Sequence, residues 1–431
     1  VKYSARQLVA MLRTPLGRRQ IAEGLDYRAY PLYEAAARVH RARLPATTRF
    51  VAVVGTFGKT TTSRAIRAAL GQDPEGHWSL NCWTNLARRV LAARASDRHV
   101  VIEAGIAAPG EMARYARLIR PDVTVVTSVG SEHNRTLRTL ETTRDEKAHM
   151  VRALAASRGL AVLNGDDPNV AWMRGETRAR VVTYGLGASN DVRGTDLRLD
   201  WPHGLELTVH AGGASARVRA PLLGEKMAYP LLAAAAVALD AGRSLDDVAR
   251  ALANVVTASA RLEPVALPGD VWLLRDEHKS ALETVHAALD VLAEIPARRR
   301  IVVLGDVAEP VGPQGPLYRD IGARLASIAT RVVVVGGMFK PVSVGARRAG
   351  MPADALIDAG RTVQRAAALL RDLLEPGDVV LLKGRDTQRL ERIHLLLTGH
   401  EVGCAITYCD AKVRCNVCPM RVRGWGTREP A

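Results

Sequence analysis

The sequence predicts an α/β protein built from two successive sets of strands alternating with helices, with a small antiparallel part between them and a cysteine-rich tail. Three observations carry this. Apolar runs at residues 51–54, 99–103, 123–127 and 160–164 are each separated by a helical pattern, which implies a parallel sheet. A second alternating set begins near Val265, with runs at 300–305, 331–336 and 379–383 that end in glycine or polar turns. The last thirty or so residues hold four of the five cysteines and show no periodicity.

Taken in order, residues 1–47 alternate apolar and Arg-rich positions at helical spacing, broken by Pro15 and Pro31, and read as two or three helices. Residues 48–258 form a central domain. Its first strand runs into Val51-Ala-Val-Val-Gly-Thr-Phe-Gly-Lys-Thr-Thr-Thr62, an apolar run that breaks at a glycine turn and restarts as a helix. Gly55 and Gly58 can turn backbone N–H groups inward, Lys59 adds a positive charge and Thr60 offers a hydroxyl to a magnesium ion. This is a shortened phosphate loop for a nucleoside triphosphate. Ligands of such sheets sit beyond the strand C-termini, where Gly55 to Thr60, Glu103 and Ser128 to His133 all fall. From 178 to 218 the period changes to two, with Gly and Asn between stretches, which predicts antiparallel hairpins. Residues 231–239 are nearly all apolar and predict a buried helix. Residues 259–399 form a separate Rossmann-like domain, with helices expected at 317–327 and 363–374, and residues 400–431 are the tail.

Composition narrows the function. Sixty basic against 44 acidic residues give a net charge of +16, which could attract nucleic acid, lipids or anionic substrates. Aromatics make up only 4%, too few for stacking platforms, and the arginines are dispersed, so nucleic-acid binding is disfavoured. No apolar run reaches about 18 residues and no signal-peptide core is present, which predicts a cytoplasmic protein without a transmembrane segment.

The motifs together resemble the Mur ligase superfamily, most closely its UDP-MurNAc-tripeptide D-alanyl-D-alanine ligase branch, over residues 48–398. They are Gly55-Thr-Phe-Gly-Lys-Thr-Thr-Thr62, Glu103-Ala-Gly105, Arg120-Pro-Asp-Val-Thr-Val-Val-Thr-Ser-Val-Gly-Ser-Glu-His133, Leu163-Asn-Gly-Asp-Asp-Pro168, Ala260-Arg-Leu-Glu-Pro264, Val303-Leu-Gly-Asp306 and Leu382-Lys-Gly-Arg385, in the family's order. The resemblance implies an ATP-dependent ligase that joins a carboxylate to an amino acid or peptide amine through an acyl phosphate. It implies that Gly55, Thr56, Gly58, Lys59, Thr60 and Thr61 hold ATP and that Thr60 and Glu103 hold one magnesium. His133 and a carbamylated Lys147 would hold a second. Arg261 and Asp276 would reach the nucleotide, and Lys383 the phosphate or the incoming substrate.

Departures from the family are visible. About 45 helical residues are too few for the UDP-sugar domain, so a substrate outside the UDP-muramoyl set is expected. The family's Asp-x-x-His/Asn reads Asp276-Glu-His-Lys279, and its adenine-reading asparagines are absent from Gly224-Glu-Lys-Met-Ala-Tyr-Pro230. These changes leave a nucleotide-gated binding module with little turnover as the alternative. Cys404, Cys409, Cys415 and Cys418, with one Cys-x-x-Cys, are candidate ligands of a structural zinc. An iron–sulfur cluster, thiol redox chemistry and no cofactor stay open. The N-terminal helices and the tail are candidate docking surfaces for a protein partner.

Overall fold

The computed structural model describes residues 5–75, 81–131, 134–310 and 312–424. The chain divides into two compact units, one of residues 26–257 and one combining residues 1–25 with 258–431. Among the described residues no helix is long and apolar enough to cross a membrane.

The first unit is an eight-stranded sheet. Its strands are β1 (Arg49–Val54), β2 (His99–Glu103), β3 (Val123–Val126), β4 (Leu160–Asn164), β5 (Arg180–Gly185), β6 (Val192–Asp200), β7 (Gly204–Ala211) and β8 (Ala214–Ala220), in the order β2-β1-β3-β4-β5-β6-β7-β8. Neighbours among β1 to β6 pair in parallel, and β7 is antiparallel to both β6 and β8. The period-two stretch at 181–184 is therefore a fifth parallel strand, pairing in parallel with both β4 and β6 rather than joining a hairpin.

Alternation along β1 serves both faces of the sheet. Val51 and Val53 pack with helices Lys59–Ala69 and Ala228–Asp240, while Phe50, Ala52 and Val54 pack with helices Trp83–Leu91 and Glu111–Ile119. The all-apolar 231–239 segment is buried as expected; its alanines 233–236 lie in one core with Ala65, Ala68 and Ala69 of the glycine-turn helix. Small side chains let two helices approach closely, which holds the glycine turn rigid from behind. Helix Tyr30–Arg43 is tied to the start of β3 by buried Arg41, which donates to Asp122 at 2.8 Å and to the Ile119 carbonyl at 3.0 Å.

The second unit has six strands, β9 (Glu263–Leu267), β10 (Val271–Asp276), β11 (Arg299–Leu304), β12 (Arg331–Val334), β13 (Leu356–Asp358) and β14 (Asp378–Lys383), ordered β13-β12-β11-β14-β10-β9. All neighbours are parallel except β9 with β10. The helices Gln314–Ala326 and Val363–Leu373 lie close to the expected spans, whereas the three-residue β13 has no run long enough to announce it. The tail is not extended chain. Cys404, Ile406, Cys409, Ala411, Val413 and Met420 form a small core with Leu16 from the N-terminal helix Pro15–Arg28.

A buried polar layer joins this tail to the end of β10. Fully buried Glu277 takes hydrogen bonds from Arg275 at 2.5 Å and Arg414 at 3.2 Å, and Arg414 Nη1 donates to His278 Nδ1 at 2.9 Å. Accepting at Nδ1 requires a neutral ring with its proton on Nε2. Burial, then Arg261, Arg414, Lys279 and Arg389, push His278 down to about 2 from 6.5. The unfolded chain thus binds the proton first as pH falls. The contribution to stability is complete above about 6.5 and is lost progressively below it, by up to about 1.4 kcal/mol per pH unit. Denaturant midpoints at pH 7 and 5 should show this slope in the wild type and a clearly flatter one in His278→Gln. Equal slopes in the two proteins would refute it.

Candidate functional site

In the first sheet the connections after β1 and β3 leave in opposite directions, since β2 and β3 flank β1. Ligands of open α/β sheets bind at such a reversal, beyond the strand C-termini. The Gly55 turn and the Thr127 to Gly130 segment meet there. Gly55 has φ 146° and Gly58 φ 80°, and a Cβ on Gly55 would sit 1.9 Å from Thr127 Oγ1, so only glycine fits. Thr56 N donates to the Ser128 carbonyl and Phe57 N to Ser128 Oγ, both at 2.9 Å, while Gly130 N donates to Thr56 Oγ1 at 2.8 Å. Thr127 Oγ1 closes the turn by donating to the Phe57 carbonyl at 2.6 Å.

Lys59 and Thr60 open the following helix, with Gly58 as its N-cap. Lys59 Nζ folds back to donate to the carbonyls of Gly55 at 2.9 Å and Thr56 at 2.8 Å. That pose leaves the ammonium over the mouth of the turn, where a phosphate chain would lie. Thr60 Oγ1 donates to Glu103 Oε2 at 2.9 Å, and Asn81 Nδ2 holds the other carboxylate oxygen at 2.7 Å. A hydroxyl and a fixed carboxylate side by side are hard oxygen donors that suit magnesium. Asn81 escaped the sequence reading. Its signal was faint: a lone Asn beside Cys82, in a stretch with no motif of its own. Thr61 is buried in the same helix. Lys147 is 4% exposed on the inner side of helix Leu140–Arg152, and His133 lies outside the described residues.

Behind this rim, Asn164 Nδ2 donates to the Thr127 carbonyl at 2.9 Å, and Asp167 accepts from Val129 N at 2.9 Å. The Asn-Gly-Asp-Asp motif thus braces the segment that grips the glycine turn. Tyr229, in the altered adenine motif, donates its hydroxyl to Asp166 at 3.1 Å.

Residues 53–238 match the model of the Mur ligase middle domain and 260–385 that of the Mur ligase glutamate ligase domain. A UDP-N-acetylmuramoyl-tripeptide–D-alanyl-D-alanine ligase from Mycobacterium tuberculosis is 33% identical over 363 residues, 79% of this chain and 71% of that protein. The chain belongs to the Mur ligases. It is accordingly an ATP-dependent amide-bond ligase. The Escherichia coli protein of the same name is 29% identical, over 72% of this chain and 69% of its own. Among solved structures, MurF from Acinetobacter baumannii superposes with a TM-score of 0.75 at 23% identity, covering 86% of this chain and 80% of that one. MurF from Thermotoga maritima in complex with ADP gives 0.71 at 19%, covering 86% and 83%. These two show that the Mur ligase fold is shared.

The remaining sequence-derived residues lie in the second unit. Asp276 and Lys383 end the neighbouring strands β10 and β14 and form one buried ion pair, Nζ to Oδ2 2.5 Å. Lys383 also donates to the Lys279 carbonyl at 2.8 Å and Thr284 Oγ1 at 3.2 Å, and Asp276 Oδ1 accepts from Leu262 N at 3.2 Å. Arg261 sits in a tight turn between Ala260 (φ 58°) and Leu262 (φ 51°), and its charge is felt by both members of the pair. Two left-handed non-glycine residues flanking one arginine are strained backbone, of the kind found at functional positions.

The candidate zinc ligands Cys404, Cys409, Cys415 and Cys418 find no support as a metal site. Among the described residues no three or more His, Cys, Asp or Glu side chains are grouped to hold a metal. Instead Arg392, 2% exposed, reaches Cys415 Sγ at 3.2 Å and Cys404 Sγ at 3.4 Å. The guanidinium thus donates to two of the four tail sulfurs. Burial also pushes the Cys415 thiol up to about 12.

Proposed function

We propose that this Mur ligase joins the carboxylate of a peptidyl substrate to the amine of an amino acid or short peptide by way of an acyl phosphate. Its relatives from Mycobacterium tuberculosis and Escherichia coli are named for pairing a muramoyl tripeptide with D-alanyl-D-alanine, and we extend that class of substrate pair to this chain. A carboxylate oxygen attacks the γ-phosphorus of ATP and the bridging β–γ bond breaks, leaving ADP. The amine nitrogen then attacks the acyl carbon, phosphate leaves with the C–O electrons, and the nitrogen loses a proton.

The single observation that supports the reading best is the Thr60–Glu103 pair, held by Asn81 at the mouth of the glycine turn. Backbone N–H groups of the turn and the Lys59 ammonium bind and neutralise the phosphate chain, and Thr60 with Glu103 would hold magnesium. When bound, that ion supplies positive charge to the phosphate oxygens. Carbamylated Lys147, with His133, is assigned to a second magnesium. A buried lysine is costly as a cation, and the carbamate makes it an anion that suits such a role. Its need for ATP places the reaction in the cytoplasm.

ADP and phosphate release should require both a peptidyl carboxylate, offered UDP-linked and free, and an amine from a panel including D-alanyl-D-alanine. ATP turnover indifferent to every pair would sink the proposal. Turnover undiminished in buffer stripped of carbon dioxide would remove Lys147 from the metal set.

A further inference from the structure

The second family match ends at residue 385, before the tail, yet the tail is fastened to the second sheet at several buried points. Arg392 Nη1 donates to the carbonyls of Cys404 at 3.2 Å and Ile406 at 2.7 Å. Arg389 Nε donates to the Cys409 carbonyl at 3.1 Å and its Nη2 to that of Ala411. Cys409 N donates to the Thr387 carbonyl at 2.8 Å, and Gln364 Nε2 to that of Cys404 at 3.0 Å. Arg389 and Arg392 are 4% and 2% exposed, where a charge-assisted bond is strong and its loss is costly. The anchors lie on both sides of Tyr408.

Tyr408 donates its hydroxyl to Asp306 Oδ2 at 2.6 Å. Asp306 follows β11, and Arg385 follows the adjacent parallel strand β14, so both stand beyond strand C-termini, where ligands of such sheets bind. Asp306 N donates to Gln388 Oε1 at 2.6 Å, and Gln388 Nε2 donates to the Val335 carbonyl at 3.2 Å. Gly336, at φ 129°, permits the close approach: a Cβ there would lie 2.5 Å from Asp306 Oδ1. Arg385 Nε is buried and has no hydrogen-bond partner among the described residues. Burial, followed by Asp306, raises Tyr408 to about 12, so the phenol stays a donor at any physiological pH.

We propose that the cysteine-rich tail completes the subsite for the amine substrate: Tyr408 is a positioning residue that fixes Asp306 to receive an ammonium group, with Arg385 available to the carboxylate of the same molecule. A zwitterionic amino acid or dipeptide is the chemical class that fits an acid and an arginine at neighbouring strand ends. The inference rests on the ligase reading above and adds to it the tail's own contribution, Tyr408, at the amine end of the reaction.

Tyr408→Phe tests it, because it removes one hydroxyl and keeps the ring. A hydrogen bond to a charged group predicts KM for the amine raised roughly ten- to a hundredfold, with KM for ATP and kcat at saturating amine retained. Asp306→Asn should raise the same KM at least as far. Calorimetric titration with D-alanyl-D-alanine gives a reading independent of turnover: wild type binds, and Tyr408→Phe binds more weakly by a similar factor. An unchanged KM, or equal or absent binding by the two proteins, overturns the proposal. Wild-type protein that binds the dipeptide but releases no ADP with any substrate pair overturns the ligase reading alone.

Discussion

Lys59→Ala is expected to lower ATP turnover by about 10²- to 10³-fold, the range found when one fixed donor to a developing charge is removed. Little covalent work falls to the protein in phosphoryl transfer, so positioned cations supply most of the effect. Lys59 does two things in this structure. Its ammonium stands at the glycine turn, and its hydrogen bonds to the Gly55 and Thr56 carbonyls tie the turn's backbone together. The alanine variant removes both, and Lys59→Arg separates them. Arginine keeps the charge but presents a planar fork too large to bond two carbonyls of its own tight loop. Arginine should therefore restore part of the ATP affinity and little of the turnover. The check is steady-state ADP release beside ATP binding measured by titration, with a melting curve to show that the fold is kept. A Lys59→Ala protein with near wild-type turnover would exclude the glycine turn as the phosphate site.

The turn was legible because its cause is local. An apolar strand, two glycines at positive φ and a lysine followed by threonine fall within a dozen residues, and each residue's own stereochemistry demands its place. What grips the turn was not. Ser128, Thr127 and Asn81 reach Gly55, Phe57 and Glu103 only because the sheet order sets β3 and β2 on either side of β1. No spacing along the chain encodes that adjacency. The fifth parallel strand was misread for a related reason. A period of two reports that two faces differ, and says nothing about the direction of the neighbouring strand. The tail shows the converse case. Its cysteine spacing suggested a metal, while the group that meets the sulfurs, Arg392, comes from a helix earlier in the chain and leaves no mark on that spacing.

Asp276→Ala should cost the fold about 3–5 kcal/mol, the usual penalty for stranding one member of a buried ion pair. Lys383 is 1% exposed and would keep only the Lys279 carbonyl and Thr284 hydroxyl of the partners seen here. Burial is the leading influence on both residues: it pushes Asp276 above its ordinary carboxylate range and Lys383 below its ordinary ammonium range. Desolvation thus outweighs mutual attraction, and each charge is tolerated chiefly because the other is present. Removing both should then be far cheaper than removing one. Asp276→Leu combined with Lys383→Met is expected to recover most of the lost stability, read as denaturant midpoints of wild type, the single variants and the double. The double variant also decides what the pair is for. If Lys383 and Asp276 serve the nucleotide or the incoming substrate, as their motifs imply, the restored fold will remain inactive. Recovery of ligase activity together with stability would make the pair a structural tie between β10 and β14 and leave the chemistry to other residues.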